Sequence, residues 1–190
     1  LALVGGLFLP STLGLSPIAV GVTLALFLIC VWLVPAERLT GFCSFAAWVF
    51  VFGTLLNVAY ELWHSVFYTH FTLPGLSYPE QVRMLFEAAA GDGLLAVINL
   101  LFVTALRRGH WPWRSTWRRP TIAYVITLAL VIQIGIELGA LATGRWAYDS
   151  TMPLIPVLGV GLTPTIQMPL LMLPILSLAQ RMLPQPTDAS

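Results

Sequence analysis

The sequence predicts an all-α, polytopic membrane protein: a bundle of five transmembrane helices whose last member is broken by proline. Three observations carry that expectation. Hydrophobic residues make up 58% of the 190-residue chain and charged residues 9%, and the mean hydropathy of +0.87 lies outside the range of soluble domains. Apolar runs of bilayer-crossing length, about 20 residues each, recur along the chain with short polar links between them. The charge is segregated as well: there is no Lys, and Arg107, Arg108, Arg114, Arg118 and Arg119 crowd into one loop.

The runs are Ile18–Val34, Gly41–Val66, Val82–Leu106, Thr121–Ala142 and Pro153–Leu178. Together they use most of the chain and make it a single transmembrane domain. Leu1–Leu9 is apolar but too short to cross alone, and "PSTLGLSP" at Pro10–Pro17 separates it from the first run, so residues 1–17 read as a surface or re-entrant piece. It lacks the basic start of a secretory signal. Only the tail, residues 183–190 with "PQPTDAS" at its end, reads as disordered. The last run carries Pro153, Pro156, Pro164, Pro169 and Pro174 with Gly159 and Gly161 between them, and each interior proline removes a helical hydrogen bond. Cys30 and Cys43 sit in or beside apolar runs as packing residues.

The loop "RRGHWPWRSTWRRP", Arg107–Pro120, places Trp111, Trp113 and Trp117 among five arginines, the composition of an interfacial belt over anionic lipid. A few arginines held at a bilayer surface form no groove for nucleic acid. By the positive-inside rule this loop is cytoplasmic, and five alternating spans then put the N-terminus outside and the C-terminus inside.

That topology gathers the polar groups. Glu61, Glu87 and Glu137 fall in the outer half of the second, third and fourth runs, each roughly 9–12 Å from its midpoint at about 1.5 Å per residue. Asn57, Glu61 and His64 form an i, i+4, i+7 stripe; Asp92 lies deeper than Glu87, and Gln133 lies one turn inside Glu137. Ionisable groups in a span cost several kcal/mol unless paired or wet, so they face the bundle interior and mark function. The expectation is one cavity lined by Glu61, His64, Glu87 and Glu137. The structural alternatives are a Glu61–His64 hydrogen bond, Glu87 as a helix-start carboxylate, and a Glu137–Arg145 pair. His70 and His110 lie in links and read as surface residues. "GIELG" at Gly135–Gly139 fits a small-residue packing pattern. "ELWH" is a Glu-x-x-His, but carboxylate-bridged di-iron sites need that pair twice, so neither a metal nor another cofactor is expected.

Three stretches carry a resemblance. "NVAYELW" is similar to a His-x-x-x-Glu-hydrophobic-Trp helix with Asn57 in place of the His and Glu61 at the acid. "FEAAAGDGLLAVINLLFVTALRRG" is similar to the helix after it, with Glu87 at the acid. "QIGIELGALATGRW" followed by "TIQMPLLML" is similar to a closing helix pair, with Gln167 near an amide position. Over residues 41–182 the chain thus resembles the EXPERA membrane family, which groups emopamil-binding-protein-like and sigma-two-receptor-like proteins. The resemblance implies five spans around a sterol- or isoprenoid-like ligand, with acids handling a proton or an amine.

The leading expectation is intramembrane binding or proton-transfer isomerisation of such an apolar ligand. Glu61 and Glu87, with His64, act as acid and base, because burial disfavours the charged form of a carboxyl. Tyr60, Trp63 and Trp146 offer aromatic faces to a carbocation, and Asn57, Asp92, Gln133, Glu137 and Gln167 complete the lining. Two other classes stand beside it. One is a non-catalytic subunit or assembly factor of a larger membrane complex. The other is a small proton- or cation-coupled transporter, which a chain this short and without a repeat would build by self-association.

Overall fold

The computed structural model describes residues 17–68, 77–108, 119–144 and 146–183. Among the described residues five α-helices follow one another: α1 Pro17–Leu33, α2 Ala36–His64, α3 Tyr78–Leu106, α4 Arg119–Thr143 and α5 Leu162–Arg181. A 3-10 turn, Ser65–Phe67, ends α2. The basic loop with Trp111, Trp113 and Trp117, the segment before Pro17, the tail from residue 184, His70, His110 and Arg145 lie outside the described residues.

Four of the helices, α2 to α5, are long and apolar enough to cross a membrane, and the chain is a multi-pass integral membrane protein. The first is apolar but short. Its 17 residues reach about 25 Å at 1.5 Å per residue, against about 30 Å of hydrocarbon. Pro35 separates α1 from α2. The second helix begins at Ala36, before the apolar run does, with Glu37 in its first turn where the helix dipole favours a carboxylate. The third likewise starts at Tyr78 rather than Val82. Ser77 caps it, and the Glu80 carboxylate accepts from the Ser77 backbone N–H at 2.8 Å and from its hydroxyl at 2.7 Å.

The last run departs furthest from the expected span. Residues 153–161 form a hairpin rather than a helix, because Pro153, Pro156 and Gly159, the last at φ +66, favour turns, and α5 proper begins at Leu162. Pro169 and Pro174 lie inside that helix.

The core runs along the bundle from Phe42, Phe45 and Val49 on α2 to Ala96, Leu100 and Leu101 on α3 and Met168, Met172 and Ile175 on α5. The buried Cys30 thiol donates to the Leu101 carbonyl at 3.2 Å and ties α1 to α3. Helices α2 and α3 meet most closely at two glycines. A methyl group added at Gly53 would lie 3.0 Å from Gly93 Cα, and one at Gly93 would come 2.4 Å from Thr54 Oγ1 and 2.9 Å from its backbone N. This crossing sets the distance between the helices four residues from Asn57 and one from Asp92. By contrast, nothing among the described residues lies within 4 Å of a methyl group added at Gly135 or Gly139, so "GIELG" packs no helix there.

Candidate functional site: a buried carboxyl–amide cluster

The buried face of α2 is a single stripe, Phe42, Phe45, Val49, Gly53, Asn57, Glu61 and His64, spaced three or four residues apart. The stripe turns from apolar to polar at Asn57 without leaving the bundle interior. On α3 the matching stripe is Leu85, Ala89, Gly93 and Ala96, and Asp92 adjoins it. From α5, Gln167 meets both helices. Its Nε2 lies 2.9 Å from Asn57 Oδ1, 3.0 Å from Glu61 Oε1 and 2.8 Å from Asp92 Oδ2, its two hydrogens shared among the three acceptors. Asn57 in turn donates to the Gly53 carbonyl at 2.7 Å. Gln167 thereby joins the Glu61 and Asp92 carboxyls through one shared amide nitrogen.

His64 stands at the rim of this cluster. It is 2% exposed, its ring lies between those of Tyr60 (5.0 Å) and Tyr68 (5.2 Å), and its Nδ1 is 3.5 Å from Glu61 Oε2. Nδ1 has that long contact with Glu61, and Nε2 is left without a hydrogen-bond partner among the described residues, able to bond an incoming molecule. Tyr60 donates to the Thr163 carbonyl at 2.8 Å and fastens α2 to the start of α5.

A strap closes this end of the bundle. Tyr68 and Tyr148 form an antiparallel bridge, and the Asp149 N–H donates to the Phe67 carbonyl at 2.8 Å. The strap carries Trp146 and Tyr148 to Glu137, which is 2% exposed and accepts from Trp146 Nε1 at 3.3 Å and from the Tyr148 hydroxyl. Tyr68 packs on Trp146 (6.0 Å) and Tyr148 (5.6 Å), so one aromatic file runs from His64 to Glu137. Burial pushes the Tyr68 and Tyr148 hydroxyls well above the usual tyrosine range. The charge of Glu137 adds to the effect at Tyr68, and the hydrogen bond to Glu137 adds to it at Tyr148, so both remain donors.

Of the residues singled out in the sequence, the structure gathers Asn57, Tyr60, Glu61, His64, Asp92 and Gln167 directly, and Glu137 and Trp146 through the strap. Glu87 is a correction. It lies two residues from both Leu85 and Ala89, on the opposite side of α3 from the buried stripe, and it pairs one turn away with Arg83 Nε at 3.7 Å. Asp92 takes the place expected of it. Trp63 is corrected too: 56% exposed, it points out of the bundle and touches Tyr60 and Phe67 edge-on. Gln133 is buried on α4 with its Oε1 unpartnered, one turn from Glu137. Among the described residues, no group of three His, Cys, Asp or Glu side chains is placed to hold a metal ion. Tyr68 and Tyr148 join the site without any motif that marks them in the sequence.

Fold and site together define a multi-pass membrane protein with a polar cluster enclosed in its bundle. Comparison with protein-family models, with curated proteins and with solved structures finds no match to this chain.

Proposed function

We propose that the Glu61–Asp92–Gln167 cluster is an intramembrane acid–base site that binds an apolar sterol- or isoprenoid-like molecule and isomerises it by proton transfer. The observation that supports this reading is a pair of carboxyls bridged by the Gln167 amide beside a buried imidazole. In this reading a proton carried by one of the two carboxyls, Glu61 or Asp92, passes to one alkene carbon, forming a C–H bond and a carbocation. The Tyr60, Tyr68 and Trp146 rings stabilise that cation through their faces. The deprotonated carboxylate then removes a proton from the neighbouring carbon, the double bond re-forms one position away, and the site returns to its starting state. Asn57 and Gln167 hold the carboxyls in place, and Asp92, rather than Glu87, is the second acid.

The reading includes five spans, with α1 also crossing, the basic loop and C-terminus cytoplasmic, and the N-terminus outside. The partners it implies are bilayer lipids and the apolar ligand.

The experiment is extraction of the protein purified in mild detergent, identification of bound lipids by mass spectrometry, and incubation of the identified alkene with protein in heavy water. Parent protein is expected to shift the double bond and incorporate deuterium. Glu61→Gln and Asp92→Asn, which keep size and hydrogen bonding, are expected to lose about 10²–10⁴-fold in rate. Variants as active as the parent, or a parent that retains no lipid, would sink the proposal and favour a non-catalytic subunit.

A further inference from the structure

Between the strap and α5 the chain makes a hairpin, residues 153–161, whose two ends differ in kind. Its backbone is closed: Leu162 N–H donates to the Pro153 carbonyl at 2.7 Å, Ile155 to Val160 at 2.8 Å and Gly159 to Ile155 at 3.0 Å, and Leu154 bridges Gly161. The root is buried. Val160 is 0% exposed, and a methyl group added at Gly161 would meet Pro164 Cγ at 2.9 Å and Met152 Sδ at 3.0 Å. The outer side is the reverse, with Leu154 51% exposed beside the root and Leu158 41% and Val157 104% exposed at the turn. Val157 also has φ 74, in the left-handed region that a β-branched residue rarely adopts. The chain thus holds a strained backbone in order to present an apolar side chain outward.

We infer that this hairpin, through its turn at residues 156–159 and the exposed Leu154 beside it, is seated in the boundary between headgroups and acyl chains of the leaflet at the His64 end, so that its partner is a lipid surface. Length places it there: the 20 residues of α5 span about 30 Å, which leaves Leu162 at the edge of the hydrocarbon and the hairpin just beyond. Continuity places it there as well. Leu162, Ile166 and Leu170, exposed at i, i+4 and i+8, are the face α5 gives the bilayer, and that face continues into Leu158, Val157 and Leu154. No Asp, Glu, Lys or Arg occurs between Asp149 and Arg181, so no charge has to be dragged toward the acyl chains. Irregular backbone is tolerated near hydrocarbon where its polar groups are met, and the hairpin's own hydrogen bonds meet them. An uncharged tip binds by apolar burial alone, so its seating is indifferent to salt and to anionic lipid.

The test uses the full chain in phosphatidylcholine liposomes with Cys30→Ser and Cys43→Ser. A single environment-sensitive fluorophore is attached at Val157→Cys, at Leu158→Cys as a second tip position, or at the exposed Ser150→Cys as the aqueous reference. Nitroxide-labelled phosphatidylcholine is expected to quench the two tip positions and iodide to leave them unquenched, unchanged by added salt, with the reverse at Ser150→Cys. Iodide quenching at the tip equal to that at Ser150→Cys would put the hairpin in water and overturn the inference. Protection from both quenchers would mean that a protein surface or a second copy covers the tip, and that result overturns it too.

Discussion

At the level of single residues, the site separates carboxyls that look alike in sequence. Glu87 faces away from the cluster and, half-buried, pairs with the exposed Arg83 at 3.7 Å, so Glu87→Gln is expected to change thermal stability by about 0.5 kcal/mol or less. Its activity should match the parent's in the same assay that Asp92→Asn fails. Glu137 depends on the strap. Tyr148→Phe removes a donor to a buried carboxyl and is expected to cost about 1.5–3 kcal/mol in detergent unfolding. The two strap tyrosines also predict an alkaline limit. Their hydroxyls ionise later in the folded protein than in the unfolded chain, so their contribution is complete below pH about 10 and falls as pH rises further, because the unfolded state releases the protons first. Melting curves from neutral to strongly alkaline pH should show that decline, and the Tyr68→Phe, Tyr148→Phe double variant should flatten it.

At the level of helices and loops, the glycines give a paired prediction. Gly93→Ala drives a methyl group into Thr54 at the α2–α3 crossing and is expected to destabilise by about 1–3 kcal/mol. Gly135→Ala meets nothing and should stabilise by about 0.5–1 kcal/mol through helix propensity. Chemical denaturation of both in one detergent checks the signs. Much of this architecture was legible in the sequence, because hydropathy reports burial in a bilayer and the 3.6-residue period reports the inner face of α2. That period placed Asn57, Glu61 and His64 on one stripe, where the structure has them. Glu87 shares the depth of Glu61 but not the phase of the buried stripe: Leu85 and Ala89, two residues to either side, mark the opposite face as buried. The hairpin was absorbed into a span because hydropathy is blind to turns, although Pro153, Pro156 and Gly159 signalled them. Tyr68 and Tyr148 had no local signal, since a backbone bridge between distant loops brings them together.

At the level of the whole molecule, the orientation proposed above predicts that Ser77→Cys, at the start of α3, reacts with a membrane-impermeant maleimide from outside intact cells. Ser115→Cys in the basic loop should react only after permeabilisation, and the opposite result would invert the topology. The glycine crossing also gives the bundle a fulcrum. Gly93 and Asp92 sit at it, whereas Glu61 lies eight residues from Gly53, about 12 Å out along α2. A tilt of α2 by about 5° around that point would leave Asp92 almost still and sweep Glu61 through about 1 Å, enough to part it from Gln167. Misplacement on that scale costs about a hundredfold where reacting groups must be aligned. A thicker or thinner bilayer changes helix tilt without touching any residue of the cluster. If the helices turn about this crossing, bilayers of different acyl-chain length are expected to change the separation of the two carboxyls, which turnover measured in short- and long-chain lipid checks.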